Sequence, residues 1–336
     1  MSQAIASANS NIALIKYWGK RDEALILPHN GSLSLTLDGL YSTTRVSFEE
    51  DLKADHFELD GAIITGTPLT RVSEFLNCIR AMSGERRFAR VQSTNHLPTA
   101  AGLASSASGF AALALAGTRA AGLNLEATDL SRLARLGSGS ACRSIYGGFV
   151  EWRRGSEPDG RDSHGVPIVL GQAWDLRMLV CVLMSKPKGV SSRAGMARTV
   201  ATSPYYAAWI NEAQRDLEQA RTAIAVHDFE TLGQLTEHSA LKMHATMLTA
   251  HPPFCYWLPS SVALMDRVRQ LRADGLAAYF TLDAGPNVKV LTTGKDAATI
   301  AAALEQQAGV ERVLMCAAGK GARLIDEEQQ GAEAMP

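Results

Sequence analysis

The stretch that decides the fold spans residues 95–110 and reads Asn95-His-Leu-Pro-Thr-Ala-Ala-Gly-Leu-Ala-Ser-Ser-Ala-Ser-Gly-Phe110. A polar turn runs through Pro98 into small residues, and a serine pair then opens an alanine-rich segment that is typical of a helix. The first backbone N–H groups of a helix have no intrahelical partner and lie at the positive end of the helix dipole. The stretch therefore predicts a loop and helix N-terminus that can receive a phosphate group.

The same residues also fit a structural role that needs no ligand. Ser105 or Ser106 can serve as the N-cap of the helix, and small residues allow tight helix packing. The order differs from the G-x-x-x-x-G-K-[ST] phosphate loop because no lysine follows Gly102. A nucleotide bound here would therefore occupy a different class of phosphate site, and local chemistry leaves both roles open.

Composition places the chain among ordinary globular proteins of about two domains. It has 336 residues, of which 46% are hydrophobic and 20% charged, and a formal net charge of −1. This balance predicts no binding to nucleic acid or to a membrane surface. Five scattered cysteines without a C-x-x-C pair predict reduced thiols rather than a disulfide framework or a zinc site. With no signal-peptide pattern and no apolar run of about 18 residues, we expect a cytoplasmic protein.

The hydrophobic pattern predicts an α+β fold in which two lobes meet at a cleft. We expect the lobes to cover 1–170 and 171–328, with a frayed tail at 329–336. The turn-rich segment 153–166 predicts a loop near the lobe boundary. Helices are predicted over 68–82, 106–121, 126–136, 204–250 and 259–273, and strands over 32–37, 43–49, 55–64, 88–94, 145–153, 176–184, 276–282, 288–292 and 310–316.

A second motif, residues 11–21, places several cations beside two aromatic residues. Lys16, Lys20 and Arg21 supply the positive charge, and Gly19 permits a close approach of the backbone to a ligand. The alternative is a solvated basic turn that follows a strand. This motif alone favours neither interpretation.

A third motif reads Gly137-Ser-Gly-Ser-Ala-Cys-Arg-Ser144. Ser138 and Ser140 flank a glycine, and Arg143 follows, so the segment can form an anion-binding nest closed by a guanidinium group. A helix end followed by a capped helix start would explain the same residues. The combination of two hydroxyls with an arginine favours the anion site.

A fourth motif, Thr281-Leu-Asp-Ala-Gly-Pro-Asn287, places Asp283 at the end of a predicted strand. Most aspartates at such positions only cap a turn. A basic, hydroxyl-rich turn at 186–193 adds a further anion-binding segment. Several anion-binding segments and one prominent carboxylate predict two phosphorylated ligands and a general base. Phosphoryl transfer needs that arrangement, because it depends on positioning and charge neutralisation.

Taken together, the motifs resemble those of the diphosphomevalonate decarboxylases of the GHMP kinase superfamily. N-I-A-L-I-K-Y-W-G-K-R-D, P-T-A-A-G-L-A-S-S-A, S-G-S-A-C-R-S, V-S-S-R-A-G-M and D-A-G-P-N occur in family order from Asn11 to Asn287. The resemblance implies a two-lobed GHMP kinase-like fold with the active site in the cleft. It also implies ATP-dependent decarboxylation of 5-diphosphomevalonate to isopentenyl diphosphate through phosphorylation of the 3-hydroxyl, with ATP and Mg²⁺, in a homodimer.

The resemblance also assigns roles to individual residues. Asp283 would orient or deprotonate the 3-hydroxyl, Lys16 would keep that carboxylate ionised, Arg143 would pair with the departing carboxylate, and Lys188 would neutralise the transferring phosphate. Implied substrate contacts are Tyr17, Trp18, Gly19, Lys20, Arg71, Ser138, Gly139, Ser140, Ala141, Cys142, Arg143, Ser192 and Arg193. Implied nucleotide contacts are Pro98, Ala101, Gly102, Leu103, Ala104, Ser105, Ser106 and Ser108. Ser106 would be nearest a Mg²⁺ held mostly by phosphate oxygens.

The chain departs from the family pattern at one position. The family often has L-P-x-N-S-S where this chain reads Leu27-Pro-His-Asn-Gly-Ser32, so Gly31 replaces a hydroxyl. We expect this change to weaken ligand positioning unless a neighbour offsets it.

Two other functions also fit the sequence. A relative that only phosphorylates the 3-hydroxyl of mevalonate, or that decarboxylates the monophosphate, would share the fold. A non-catalytic metabolite-binding protein is a third hypothesis. Retention of Lys16, Asp283, Ser138–Arg143 and Arg193 favours the full reaction on the diphosphate. The Asp283–Lys16 pair argues against a binding protein, which has no use for a base that faces a hydroxyl.

Overall fold

The computed structural model describes residues 3–96, 105–183 and 189–326. Within these ranges the strands are β1 (Gln3–Ile15), β2 (Lys20–Asp22), β3 (Leu27–Pro28), β4 (Ser32–Glu49), β5 (His56–Leu59), β6 (Ala62–Ile64), β7 (Phe88–His96), β8 (Phe149–Trp152), β9 (Gly165–Pro167), β10 (Leu176–Leu183), β11 (Ala278–Leu282), β12 (Val288–Thr293), β13 (Val310–Cys316) and β14 (Arg323–Leu324). The helices are α1 (Thr67–Ser83), α2 (Ser105–Ala120), α3 (Ala127–Gly137), α4 (Ala141–Ser144), α5 (Ser192–Thr202), α6 (Tyr206–Ala225), α7 (Phe229–Leu248), α8 (Pro259–Ala273) and α9 (Gly294–Glu305).

β1 and β4 form the centre of the first sheet, which has eight strands in the described part of the chain. The order is β14-β1-β4-β7-β5-β6, and β8 and β9 extend the start of β4. The runs predicted separately at 32–37 and 43–49 belong to the single strand β4. β1 was not predicted, because α2 and α7 pack against it and nearly all of its residues are buried. A strand covered on both faces has no polar alternation to reveal it.

α2 follows the opening stretch and lies in the core of the first lobe. Its alanines are buried almost all round the helix, between the sheet and α1 and α3. Ser108 faces the sheet, where its Oγ lies 2.8 Å from Oγ of Ser42 and 3.3 Å from Oγ of Ser10. Small residues thus let the helix approach β1 and β4 closely, and this approach fixes the position of its N-terminus.

The second sheet is antiparallel, with the order β11-β12-β10-β13. One face packs against α8 and α9 through Leu179, Phe280 and Leu264, among others. The opposite face shares a hydrophobic cluster with the first sheet, in which Met178 and Leu35 take part. β14 then returns to pair with β1, so the two sheets are joined by packing and by the chain itself. The lobe boundaries given above stay a prediction.

Several boundaries differ from the sequence prediction. The run at 204–250 divides into α6 and α7, because His227 has a positive φ of 56° and the Asp228 side chain caps α7. Neither glycine nor proline marks this break. The strand predicted at 145–153 shortens to β8, since α4 and a turn at Gly148 (φ 64°) precede it. The sequence prediction also missed α9. No helix in the described ranges is long and apolar enough to cross a bilayer.

Candidate active site

An ion cluster around Asp283 forms the centre of the site. Asp283 directly follows β11, and its Oδ1 lies 2.7 Å from Nζ of Lys16 while its Oδ2 lies 3.1 Å from Nζ of Lys289. Both lysine side chains are 1% exposed, whereas the aspartate side chain is 33% exposed. The two amino groups therefore approach from the protein interior, and the carboxylate is partly exposed to solvent.

Lys16 is held from several directions. It follows the last residue of β1, its Nζ donates to the carbonyl of Ala13 at 2.7 Å, and its backbone N–H donates to Oγ of Ser239 on α7 at 3.0 Å. The amide of Asn30 donates to its carbonyl at 2.8 Å. These bonds fix the end of β1 against α7. The sequence predicted that Lys16 pairs with Asp283, and these bonds hold the Lys16 backbone in place for that contact.

Lys289 is a member of the cluster that sequence reasoning missed. It lies within β12 between Val288 and Val290, opposite Thr281 in the register with β11. The available signal was a lysine in the middle of an apolar strand, where a charged group is costly unless it is paired. Strand pairing with β11 brings that charge to Asp283.

The charges in the cluster shift the pKa values of its members. Burial raises the pKa of Asp283, but the charges of Lys16 and Lys289 outweigh it and hold that pKa well below the usual range. Burial lowers the pKa of Lys16 to about 8, because the attraction of Asp283 offsets it only in part and Lys289 and Arg143 repel. Burial also lowers the pKa of His244, on α7, to about 3. Asp283 is therefore ionised and His244 neutral near pH 7.

Arg143 connects the second and third sequence motifs. It lies in α4 with 2% exposure; its Nε donates to Oδ1 of Asn11 at 3.2 Å and its Nη1 to Oγ of Ser32 at 2.7 Å. Nδ2 of Asn11 in turn donates to the carbonyl of Ser140 at 3.0 Å. The guanidinium lies 6.0 Å from the centre of the Trp152 ring. Arg143 is thus positioned by three segments that are far apart in sequence.

The third motif also meets the N-terminus of α2. Oγ of Ser138, which caps the end of α3, lies 3.3 Å from Oγ of Ser106. Both serines are half-buried, as is Ser140. Ala141 and Cys142 are fully buried. Ligand contact from these two residues would therefore have to come from the backbone rather than the side chains.

The second motif presents its two aromatic residues in different directions. Tyr17 is half-buried, and its ring centre lies 4.6 Å from that of Trp152, which also covers Gly139. Trp18 is only 3% exposed and packs in a core cluster with Tyr206. The predicted substrate contact from the Trp18 side chain therefore has no support in the structure, because the indole belongs to the core.

Gly19 and Lys20 complete this motif. Gly19 has a φ of 104°, and a Cβ atom there would collide with the hydroxyl of Tyr206, which donates to the carbonyl of Trp18 at 2.7 Å. The glycine is thus required by both its conformation and this close approach. Lys20 is buried, and its Nζ lies 2.5 Å from Oε2 of the exposed Glu23.

Two arginines lie on another side of the site. Arg71 on α1 donates from Nη2 to the carbonyl of Gly137 at 3.1 Å, and its guanidinium lies 5.3 Å from the centre of the Phe110 ring. Burial lowers the pKa of Arg71, and the charge of Arg193 lowers it further. Arg193 is exposed in the first turn of α5, next to the half-buried Ser192. The two guanidinium groups thus lie close enough for their positive charges to repel each other.

A cavity of about 140 Å³ lies beside the N-terminus of α2. Its lining includes Pro68, Arg71, Asn95, Ser105, Ser106 and Phe110. A larger cavity of about 710 Å³, lined by Glu237, Arg272 and Tyr279 among others, involves none of the predicted site residues. The smaller cavity is the one that adjoins the site. Pro98, Ala101, Gly102, Leu103, Ala104 and Lys188 lie outside the described residues, as does the tail at 329–336.

Ser106 is the residue that the sequence placed nearest to a magnesium ion. No three His, Cys, Asp or Glu side chains form a possible metal-binding group within 3–96, 105–183 and 189–326. Ser106 offers a hydroxyl oxygen at the N-terminus of α2, beside Ser138. One hydroxyl at the N-terminus of a helix fits a Mg²⁺ that takes its other ligands from phosphate and water.

Comparison with known proteins gives consistent matches along the chain. The model of the diphosphomevalonate decarboxylase-like N-terminal domain matches residues 8–165, and that of the mevalonate 5-diphosphate decarboxylase C-terminal domain matches residues 178–333. The diphosphomevalonate decarboxylase of Ganoderma lucidum is 41% identical over 315 residues, which cover 86% of this chain and 78% of the relative.

Solved structures agree with these matches. The mevalonate diphosphate decarboxylase from Staphylococcus aureus is 43% identical with a TM-score of 0.92, over 96% of this chain and 98% of that one. MDDEF in complex with MVAPP, AMPPCP and magnesium is 47% identical with a TM-score of 0.91, over 96% of this chain and 99% of the other. The α+β, GHMP kinase-like fold predicted from the sequence is thereby confirmed.

Proposed function

Because the chain belongs to the diphosphomevalonate decarboxylase family, we propose that it converts 5-diphosphomevalonate and ATP to isopentenyl diphosphate, ADP, phosphate and CO₂ in the mevalonate pathway. The observation that carries this proposal is the position of Asp283. It is partly exposed to solvent, is held by two buried lysines, and lies close enough to the buried Arg143 for their charges to interact. A structure of a relative in complex with MVAPP, an ATP analogue and magnesium supports the same pair of ligands.

The chemistry explains why a decarboxylase needs ATP. Hydroxide is a poor leaving group, so the tertiary 3-hydroxyl is first phosphorylated. The bond between C3 and the phosphorylated oxygen then breaks, and phosphate leaves with that electron pair. The bond to the carboxylate carbon also breaks, and its electron pair forms the new carbon–carbon double bond as CO₂ departs.

Asp283 acts on the 3-hydroxyl in this proposal. The sequence left two roles open, orientation and deprotonation. The low pKa of Asp283 makes its carboxylate a weak base, and this favours orientation of the hydroxyl toward the transferring phosphate. Each carboxylate oxygen keeps a free lone pair for this purpose, because an ionised carboxylate accepts about four hydrogen bonds and each lysine uses one.

Arg143 positions the carboxylate of the substrate. Its guanidinium is fixed by Asn11 and Ser32 and lies 6.0 Å from the centre of the Trp152 ring, so it presents a rigid cation. A fixed partner for the carboxylate sets the angle of the bond that breaks. Tyr17, Lys20, Ser192, Arg193 and Arg71 would bind the diphosphate, with Ser138, Gly139 and Ser140 completing that side of the cleft.

ATP would bind at the N-terminus of α2. Its phosphates would accept hydrogen bonds from backbone N–H groups there, and Ser105 and Ser106 border the adjoining cavity of about 140 Å³. Ser106 would provide a hydroxyl to Mg²⁺, which neutralises phosphate charge when it is bound. Ser108 would contribute indirectly, since its hydroxyl is engaged with the sheet. A homodimer and a cytoplasmic location are proposed from the family alone.

Product analysis tests this function. The protein is incubated with ATP and Mg²⁺ and with mevalonate, its 5-phosphate or its 5-diphosphate, and ADP and CO₂ are measured separately. We expect equal amounts of ADP and CO₂, with the 5-diphosphate as the preferred substrate. ADP without CO₂ would instead identify a 3-kinase, and preference for the 5-phosphate would identify a monophosphate decarboxylase.

A further inference from the structure

We propose that Lys289 is a positioning residue for the reaction, which supports Asp283 from within the second sheet and turns its free lone pairs toward the substrate hydroxyl. This inference rests on the proposed function, because it assigns Asp283 to that hydroxyl. Lys289 would not touch the substrate. It would act through the carboxylate that does.

The geometry divides the carboxylate between two cations. Lys289 pairs with Oδ2 at 3.1 Å, while Lys16 pairs with Oδ1 at 2.7 Å. With one cation on each oxygen, rotation of the carboxylate about its last single bond would weaken both contacts. The two lysines together therefore restrict the rotation of the Asp283 carboxylate and fix the direction of its lone pairs. Either lysine alone would restrict this rotation less.

The two lysines come from different parts of the fold. Lys16 follows β1 of the first sheet, so its contact with Asp283 crosses between the sheets. Lys289 lies in β12, which is paired with β11 on one side and β10 on the other, and β11 leads directly into Asp283. The contact of Lys289 is thus made within one sheet. It keeps the carboxylate in place even if ligand binding changes the spacing of the two sheets.

Lys289 has a costly position that only Asp283 explains. Its side chain is 1% exposed and lies on the opposite face of β12 from those of Val288 and Val290, which belong to the hydrophobic core. Within 3–96, 105–183 and 189–326, its one ion pair is with Asp283. A valine or leucine would fill a core position without the cost of burying a charge. The buried charge of Lys289 is therefore explained by its ion pair with Asp283.

Four titratable side chains face or influence Asp283 from the surrounding elements. These are Lys16 after β1, Lys289 on β12, Arg143 on α4 and His244 on α7. The positive charge of Lys289 lowers the pKa of Asp283 and that of Lys16. Loss of Lys289 removes both effects. Both pKa values should rise in its absence. Because the pKa of Asp283 lies far below the pH range of an assay, the observable change is that of Lys16, whose deprotonation breaks its ion pair with Asp283, so the basic limb of the pH profile of kcat should move to higher pH.

The test compares Lys289→Met, Lys289→Arg and a matched control, Lys242→Met. Lys242 is also a mostly buried lysine in an ion pair of the second lobe, with Asp216 at 2.6 Å, but it lies outside the site. We expect Lys289→Met to lower kcat roughly 10- to 100-fold, as loss of an orienting partner commonly does. KM values should stay within about 3-fold, and the basic limb of kcat, which Lys16 sets, should move to higher pH.

The other two variants should separate charge from structure. Lys289→Arg keeps the charge, so its basic limb should stay near that of the wild type even though kcat falls because the group is larger. Lys242→Met should lower the melting temperature and leave the pH profile of kcat unchanged. A folded Lys289→Met protein with an unshifted profile, or with its loss confined to KM, would overturn the proposal.

A thermal measurement covers the case in which Lys289→Met fails to fold. In the Asp283→Asn background the two amino groups lose their shared anion and repel each other. Adding Lys289→Met to that background should therefore raise the melting temperature, whereas the same change lowers it in the wild type. A decrease in both backgrounds would assign Lys289 to packing alone. This result does not depend on turnover, so it is separable from failure of the wild type to release CO₂.

Discussion

Mild acid should destabilise this protein through one buried histidine. His244 on α7 is 1% exposed, its ring centre lies 5.0 Å from that of Trp257, and its Nε2 has no hydrogen-bond partner within the described residues. Burial lowers its pKa to about 3, and the nearby charge of Lys16 contributes in the same direction. The folded protein therefore keeps this imidazole neutral at a pH at which the unfolded chain protonates it.

The size of the effect follows from proton linkage. A histidine in the unfolded chain has a pKa near 6.5, so below that pH the unfolded state binds more protons than the folded state. The contribution of the neutral His244 to the free energy of unfolding is fully present above about pH 6.5. It is lost as the pH falls toward the folded pKa of about 3. At pH 5 the loss is about 2 kcal/mol relative to pH 7.5. This figure hardly depends on the folded pKa as long as that value is below about 4.

The measurement is the free energy of unfolding in guanidinium chloride at pH 7.5, 6 and 5. His244→Phe keeps an aromatic ring against Trp257 and removes the titration. The advantage of the wild type over this variant should shrink, or its disadvantage grow, by about 2 kcal/mol between pH 7.5 and pH 5. His238→Gln is the matched control, because His238 lies on the same helix but is exposed. Parallel pH dependence in wild type and His244→Phe would refute the reasoning.

Three further predictions concern the site. Asp283→Asn should lower turnover by orders of magnitude and leave nucleotide affinity little changed, which kcat and the Kd for ATP would show; near-normal turnover would remove Asp283 from the mechanism. Arg193→Ala should raise the KM for the diphosphate substrate, and an unchanged KM would count against that assignment. Gly19→Ala should lower both the melting temperature and kcat/KM, because its Cβ would displace the Tyr206 hydroxyl. Gly39→Ala is its control, with a φ of 76° but no atom within 4 Å of the added Cβ, so equal losses in both variants would point to backbone strain alone.

The sequence could predict those parts of the fold whose cause is local. The serine pair before an alanine-rich run predicted α2, and alternation predicted the start of β4, because both patterns follow directly from helix and strand periodicity. β1 escaped because burial on both faces removes the alternation. The break between α6 and α7 escaped because it depends on a positive φ at His227, a residue type that seldom marks a break.

The same distinction applies to the site. Residue types and family order could predict Lys16, Arg143 and Asp283, since each has a charge suited to its role. The direction in which a side chain points could not be predicted. Trp18 packs in the core beside Tyr206, whose hydroxyl donates to its carbonyl, and Lys289 reaches Asp283 through the register of β11 with β12. The first contact joins segments that are distant in sequence, and the second depends on the pairing of two strands, which the pattern of either strand alone does not reveal.

Gly31 shows how the structure changes the meaning of a departure from the family pattern. A Cβ atom at this position would lie 2.7 Å from Cδ2 of Leu217 on α6 and 3.3 Å from the carbonyl oxygen of Trp152. The buried side chain of Leu217 thus occupies the space that a side chain at position 31 would need. The next residue, Ser32, still accepts the 2.7 Å hydrogen bond from Arg143. The packing of Leu217 therefore explains the glycine at position 31, and the contacts that position Arg143 are retained.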